Sequence, residues 1–254
     1  MTDYAEPSSV DPRHGIGVDF ARSGQPWPEL GLAGFFLFVA FLFGTIVFFF
    51  AQIAVQALCS LGVLPGEPAH AHAAVPAHIA TALCVIGLTL GRDRFVGWDT
   101  GWDMGSARRW VWPVVSMTVL AIGPAAMGTD GMGLDSVGFA ARAGPIWLTL
   151  ILFKAVVLVP VAEELFFRGW LWAALRPVWG VWPTALCTAV PWVLSQAGES
   201  PRALWFAVPA AIILSVQRHR LGSAWGTVVT HVTYQATLAM SGLLFALYGQ
   251  SAIV

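Results

Sequence analysis

Residues 146–171 read IWLTLILFKAVVLVPVAEELFFRGWL, and this stretch decides the fold class. It begins with an apolar run, of the kind that crosses a bilayer when it reaches about 20 residues. Glu163, Glu164 and Arg168 follow within the same stretch. A charge at membrane depth costs several kcal/mol unless it is compensated. The stretch therefore predicts a membrane helix that carries a polar site.

The composition of the whole chain is that of a polytopic membrane protein. Of its 254 residues, 57% are hydrophobic and 11% are charged, whereas soluble domains have roughly 45–50% apolar and about 25% charged residues. The net charge of -1 argues against nucleic-acid binding, which needs a basic face. We predict an all-α, polytopic membrane helix bundle with the lipid bilayer as its surroundings.

The chain is predicted to form a polar tail and a single membrane domain. Residues 1–29 are polar and lack the apolar core and cleavage site of a signal peptide, so residues 30–254 are interpreted as one integral membrane domain. Apolar runs predict about seven transmembrane helices (six to eight), at 31–59, 75–91, 110–127, 145–167, 181–197, 203–217 and 223–248.

Arginines in short loops predict the orientation, because cytoplasmic loops are enriched in Lys and Arg. The 92–109 loop has four arginines and the 218–220 turn has two, whereas 128–144 has only Arg142. The amino terminus, the 92–109 loop and the 218–220 turn are therefore predicted to be cytoplasmic. The compact size favours a bacterial inner (plasma) membrane.

The two glutamates are predicted to have different roles. Residues four apart share a helix face, so Glu164 and Arg168 are predicted to form an ion pair. Glu163 points elsewhere and has no partner within its own helix. A carboxylate in such an apolar site suits a general base.

Few other polar residues occur at membrane depth. Trp192 and Gln196 share one helix face, as do His231 and Gln235 in the last span. For Lys154, nine residues before Glu163, a structural role is favoured. The span count places Gln196 nearer the outer side than Glu163. A longer fourth helix, or a break at Pro183 or Pro191, would bring the two together.

Other protease chemistries have weak support. The zinc motif H-E-x-x-H is absent, and every aspartate lies in a tail or loop. Ser223 lies at the edge of a span rather than in a nucleophile elbow, and a pairing of Ser195 with His231 is speculative.

The motif EELFFRG, with Glu163, Glu164 and Arg168, resembles the E-E-x-x-x-R signature of the CAAX protease and bacteriocin-processing (CPBP) family. This family contains the Ras-converting prenyl-protein endopeptidases and bacterial relatives often called Abi. Its second and third motifs, F-x-x-x-H and H-x-x-x-N, correspond here to Trp192–Gln196 and His231–Gln235. The resemblance covers roughly residues 145–240.

The resemblance implies a glutamic-type intramembrane endopeptidase. Glu163 would activate the water and His231 would be the second catalytic group, while Glu164 and Arg168 would hold the helix and the site. Gln235 would take the place of the family's asparagine and keep its amide donor for oxyanion stabilisation. The implied substrate is a membrane-embedded peptide or protein, such as a lipidated or hydrophobic C-terminal segment, a bacteriocin-like precursor or a sorting tail.

Gln196 departs from the family pattern because a histidine is expected at its position. Glutamine cannot exchange a proton near neutral pH and is a poor zinc ligand. We therefore predict no metal and no cofactor. Two alternatives stay open: a catalytically degenerate member acting as a membrane scaffold or regulator, and a transporter or channel.

Overall fold

The computed structural model describes residues 27–62, 69–96, 111–126, 144–197 and 204–248. Seven helices make up these parts: α1 (Trp27–Ser60), α2 (Ala69–Val96), α3 (Val111–Ala126), α4 (Pro145–Trp179), α5 (Val181–Ala197), α6 (Leu204–Leu221) and α7 (Ala224–Tyr248). Each predicted span corresponds to one of these helices. The tail up to residue 26 and most of the 92–109 and 128–144 loops lie outside the described residues.

Three helices are long and apolar enough to cross a membrane, at Leu30–Ser60, Ala73–Gly91 and Pro145–Trp179. Val111–Ile122 and Val181–Leu194 are shorter apolar helical stretches. Large apolar side chains point outward from the bundle, such as Phe38, Phe41 and Trp205, and a surface of this kind suits lipid rather than water. The predicted all-α membrane helix bundle is confirmed.

The predicted end of the fourth span at residue 167 is wrong. Helix α4 continues to Trp179 and ends at Gly180, whose φ of 76° favours glycine. The added turns are held by packing rather than by uniform apolarity, because Trp170, Leu171 and Leu175 are buried against α1. Glu163 therefore lies halfway along a 35-residue helix instead of near its end.

Helix α4 contains two π-helical segments, Lys154–Leu158 and Glu164–Leu171. Pro160 follows the first segment and has no N–H group to donate to the preceding turn. The second segment carries Glu164 and Arg168. π-Helical turns inside α-helices occur frequently at functional sites.

The core lies where α3, α5, α6 and α7 meet. It contains Met117 of α3, Trp192 of α5, Leu214 of α6 and Tyr234 of α7. On the opposite side, α1 packs along α2 and reaches α4 through Phe36 and Trp170, whose ring centroids are 5.2 Å apart. This arrangement places the centre of α4 between α5 and α7.

Candidate active site

Glu163 is held by a residue from α5. The indole Nε1 of Trp192 donates a hydrogen bond to Oε2 of Glu163 at 2.6 Å. Trp192 is buried, whereas the Glu163 side chain is 20% exposed. Helices α4 and α5 run antiparallel about Gly180, so the longer α4 brings Glu163 and Trp192 to a similar depth. The span count predicted that Glu163 and the second motif, Trp192–Gln196, lie at different depths, and for Trp192 this difference is absent.

Glu164 has two partners and is completely buried. Its Oε1 accepts a hydrogen bond from Nη1 of Arg168 at 2.9 Å, which is the ion pair that the spacing predicted. The same oxygen lies 3.0 Å from Nδ1 of His231 in α7. A carboxylate accepts hydrogen bonds only, so this contact places the histidine proton on Nδ1.

His231 joins the two glutamates. Its Nδ1 faces Glu164, and its Nε2 lies 3.9 Å from Oε2 of Glu163. That separation is too long for a direct hydrogen bond. Nε2 is buried and has no hydrogen-bond partner among the described residues.

The Trp192 ring fixes the relative positions of the other side chains. The guanidinium carbon of Arg168 lies 5.1 Å from its ring centroid, within cation–π range. The His231 ring meets it edge-on with centroids 5.3 Å apart. The site thus consists of Glu163, Glu164 and Arg168 from α4, Trp192 from α5 and His231 from α7.

The two glutamines are not bound into this group. Gln196 lies one turn after Trp192 on α5, and Gln235 lies one turn after His231 on α7; both are half-buried. Within the described residues, neither side chain makes a hydrogen bond to the glutamates or to His231. Their place in the site stays a prediction.

Lys154 has a partner that no local pattern indicates. Its Nζ lies 3.5 Å from Nδ1 of His78 in α2. The first π-helical segment begins at Lys154, and this contact ties that segment to α2. His78 lies in the predicted second span, 75–91, and the structure places it within α2.

Sequence reasoning also missed two roles in the polar network. The i, i+4 spacing pairs Glu164 with Arg168 alone, yet Glu164 also holds His231. Arg218 resembles a loop charge, yet it is buried, and its Nε donates to the carbonyl oxygen of Arg168 at 2.6 Å. Neither contact has a local signal, because the partners lie 67 and 50 residues apart in the chain.

No three His, Cys, Asp or Glu side chains in the described ranges are arranged to hold a metal ion. Glu163 and His231 would supply two ligands, and Gln196 is a weak third ligand for zinc. Metal independence stays a prediction.

Comparison with known proteins finds a family that resembles the segment carrying this site. Residues 145–237 match the family described as type II CAAX prenyl endopeptidase Rce1-like. The match runs from the start of α4 into α7, and the predicted resemblance to this family is confirmed. The family supports a CAAX-type intramembrane endopeptidase in general. No curated protein and no solved structure is significantly similar to the chain.

Proposed function

We propose that the protein is a glutamic-type intramembrane endopeptidase in which Glu163 activates water and His231 assists. The observation that carries the proposal is the 3.9 Å separation between Oε2 of Glu163 and Nε2 of His231. Each of these side chains is held by another partner, Glu163 by Trp192 and His231 by Glu164. Two fixed acceptors facing each other suit the orientation of one water molecule.

In the proposed reaction, Glu163 takes a proton from the water as the water oxygen attacks the carbonyl carbon of the scissile peptide bond. A C–O bond forms and the carbonyl π electrons move to the oxygen. When the tetrahedral intermediate collapses, the C–N bond breaks and Glu163 returns the proton to the leaving amine. General acid–base catalysis of this kind contributes about 10²- to 10⁴-fold in rate.

His231 would orient the water through the Nε2 lone pair. The Glu164 carboxylate would keep its proton on Nδ1, as in other sites where an acidic group fixes a histidine tautomer. Gln235 is the proposed amide donor to the oxyanion, an interaction that is strong where water is excluded. Arg168 would neutralise Glu164, which leaves Glu163 as the basic carboxylate.

The proposed substrate is a membrane-associated peptide with a hydrophobic or lipidated C-terminal segment. The family supports a substrate at the membrane, and Glu163 lies at the middle of a spanning helix. We also propose a bacterial inner membrane, with the amino terminus and residues 218–220 in the cytoplasm. These three residues form part of the last turn of α6. The arginine distribution supports that orientation.

Glu163→Gln tests the proposal directly, because it removes the basic oxygen and keeps the shape of the side chain. Membranes from cells producing the wild type or this variant would be compared by C-terminal peptide profiling, which detects cleavage products whatever the substrate is. We expect a set of cleavage products that is lost with Glu163→Gln and nearly lost with His231→Ala. Unchanged products with both variants, produced at equal levels, would show that the site is assigned wrongly.

Gln196 favours a second candidate, a catalytically degenerate relative that acts as a membrane scaffold or regulator. It replaces a histidine of the family motif and makes no hydrogen bond to the site within the described part of the chain. Gln196→His distinguishes the candidates. A large gain of cleavage from an inactive wild type supports degeneration, whereas wild-type cleavage that this variant does not raise supports the endopeptidase.

A further inference from the structure

A stripe of polar side chains runs along α7 toward His231. Ser223 immediately precedes the helix, and Thr227 and His231 follow at intervals of four residues, which places them on one face. All three are completely buried. With a rise of about 1.5 Å per residue, the stripe covers roughly 12 Å between Ser223 and His231.

Polar groups of the neighbouring helices border this stripe. The Glu164 carboxylate of α4 lies 3.0 Å from Nδ1 of His231, and the Thr227 hydroxyl donates to the carbonyl oxygen of Ala224 at 2.8 Å. From α6, Nε2 of Gln217 donates to Oγ1 of Thr230 at 2.8 Å. Three helices therefore turn polar side chains toward the same part of a mostly apolar bundle.

Several buried polar atoms along the stripe have no hydrogen-bond partner in the described part of the chain: Ser223 Oγ, Gln217 Oε1, Glu164 Oε2 and His231 Nε2. Leaving such an atom unsatisfied costs about 1–3 kcal/mol. All four are able to accept a hydrogen bond, so each of them would be satisfied by a donor. Buried water fills this role in proteins, typically with about three hydrogen bonds per molecule.

The stripe begins at the surface of the bundle. Gly222, in the corner between α6 and α7, is exposed and has a φ of 67°, which favours glycine. His219 and Arg220 beside it are also exposed. The end of the stripe farther from His231 therefore lies at an exposed corner that carries His219 and Arg220.

We propose that a chain of bound water molecules runs from this corner, past Ser223, Gln217 and Thr227, to the Glu164–His231 pair. The inference rests on the proposed function in one respect: hydrolysis consumes one water for each bond cleaved, and the path would supply it. The path reaches His231 from the side of Glu164. The partly exposed face of Glu163 would then be left for the substrate.

Cysteine accessibility tests the path without any assay of cleavage. In a background with Cys59, Cys84 and Cys187 replaced by alanine, Ser223→Cys and Thr227→Cys would each be exposed to a charged, membrane-impermeant methanethiosulfonate in sealed vesicles of known orientation. The controls are the adjacent buried residues, Ala224→Cys and Val228→Cys, which lie at the same depth outside the stripe.

We expect the stripe cysteines to react about tenfold or more faster than their controls, because thiol modification follows exposure to water. The reaction should occur only from the side of the membrane that bears the α6–α7 corner. Equal rates for a stripe cysteine and its control, or reaction from the opposite side, would overturn the proposal. Ser223→Cys only replaces the hydroxyl oxygen by sulfur. If Thr227→Cys does not fold, the reaction rate of Ser223→Cys therefore still tests the proposal.

The same labelling in a Glu163→Gln background separates this inference from the proposed function, because labelling of the stripe does not depend on cleavage. The labelling is compared with the cleavage products of the wild type. Labelling of the stripe with no cleavage products from the wild type would retain the water path and reject the endopeptidase. Cleavage without labelling would reject the path alone.

Discussion

Nε1 of Trp192 lies 2.6 Å from Oε2 of Glu163 and joins α5 to the centre of α4. In the resemblance to the CAAX proteases, Trp192 takes the place of a phenylalanine, which has no donor. The indole therefore adds a hydrogen bond to the carboxylate that we propose as the base. A base whose carboxylate is held in one orientation can bind water in one position.

Trp192→Phe should lower kcat by roughly 10- to 100-fold, since a hydrogen bond to a charged group contributes about 1.5–3 kcal/mol. The phenyl ring keeps the aromatic contacts with Arg168 and His231. KM should change little, because the bond orients the base rather than the substrate. The measurement is steady-state cleavage of a peptide identified by the profiling experiment. Trp182→Phe, at an exposed tryptophan of α5, should have no effect, and equal kinetics for both variants would refute the positioning role.

Glu164→Gln should destabilise the protein by about 3–5 kcal/mol, because it leaves the buried Arg168 without its counter-charge. Glu163→Gln should change stability much less, since Glu163 is partly exposed and, among the described residues, no arginine donates a hydrogen bond to it. Unfolding in a graded denaturant with the protein in detergent compares the two variants. Replacing Glu164 and Arg168 together with Gln and Met should recover part of the loss. A double variant no more stable than Glu164→Gln would contradict this account.

Arg218→Gln should cost about 1–3 kcal/mol of unfolding free energy, because the Arg168 carbonyl oxygen loses a buried donor. The same change at Arg220, two residues later and exposed, should stay within about 0.5 kcal/mol. Melting temperatures of both variants in the same detergent provide the comparison. If the two arginines act only as loop charges, the two variants will have the same melting temperature.

Gly44→Ala should loosen the packing of α1 on α2. A Cβ at residue 44 would clash with Oγ1 of Thr81, and overpacking typically costs about 1–3 kcal/mol. Small residues are favoured at such membrane helix contacts. Gly31→Ala is the matched control, because a Cβ there has no neighbour within 4 Å. Thermal unfolding should show a loss of stability for Gly44→Ala that the additional change Thr81→Ala partly reverses. If Thr81→Ala restores nothing, the clash with Thr81 is not the cause of the loss.

A chelator should leave cleavage unchanged. Glutamine at position 196 is a weak zinc ligand, and the proposed mechanism assigns water activation to Glu163 alone. The peptide assay would be run with and without EDTA, and then with zinc restored. Strong inhibition that zinc reverses would replace this mechanism with a metal-dependent one.

Long apolar runs sufficed to predict the helices. Every helix of a bundle in lipid must satisfy its own backbone hydrogen bonds, so each predicted span matches a helix and α5 has the predicted limits. The end of α4 was missed because its last turns are held by burial of Trp170 and Leu175 against α1. The two π-helical segments within α4 were not predicted from the sequence.

The sequence by itself determined the membrane class, the helix positions, the Glu164–Arg168 pair and the resemblance to the CAAX proteases. These follow from local composition, from the i, i+4 spacing and from short motifs. Only the tertiary structure decided that Trp192 holds Glu163, that Glu164 holds His231 and that Arg218 is buried beneath Arg168. These contacts join residues 29, 67 and 50 positions apart, and such distances are closed by helix packing that no local pattern encodes.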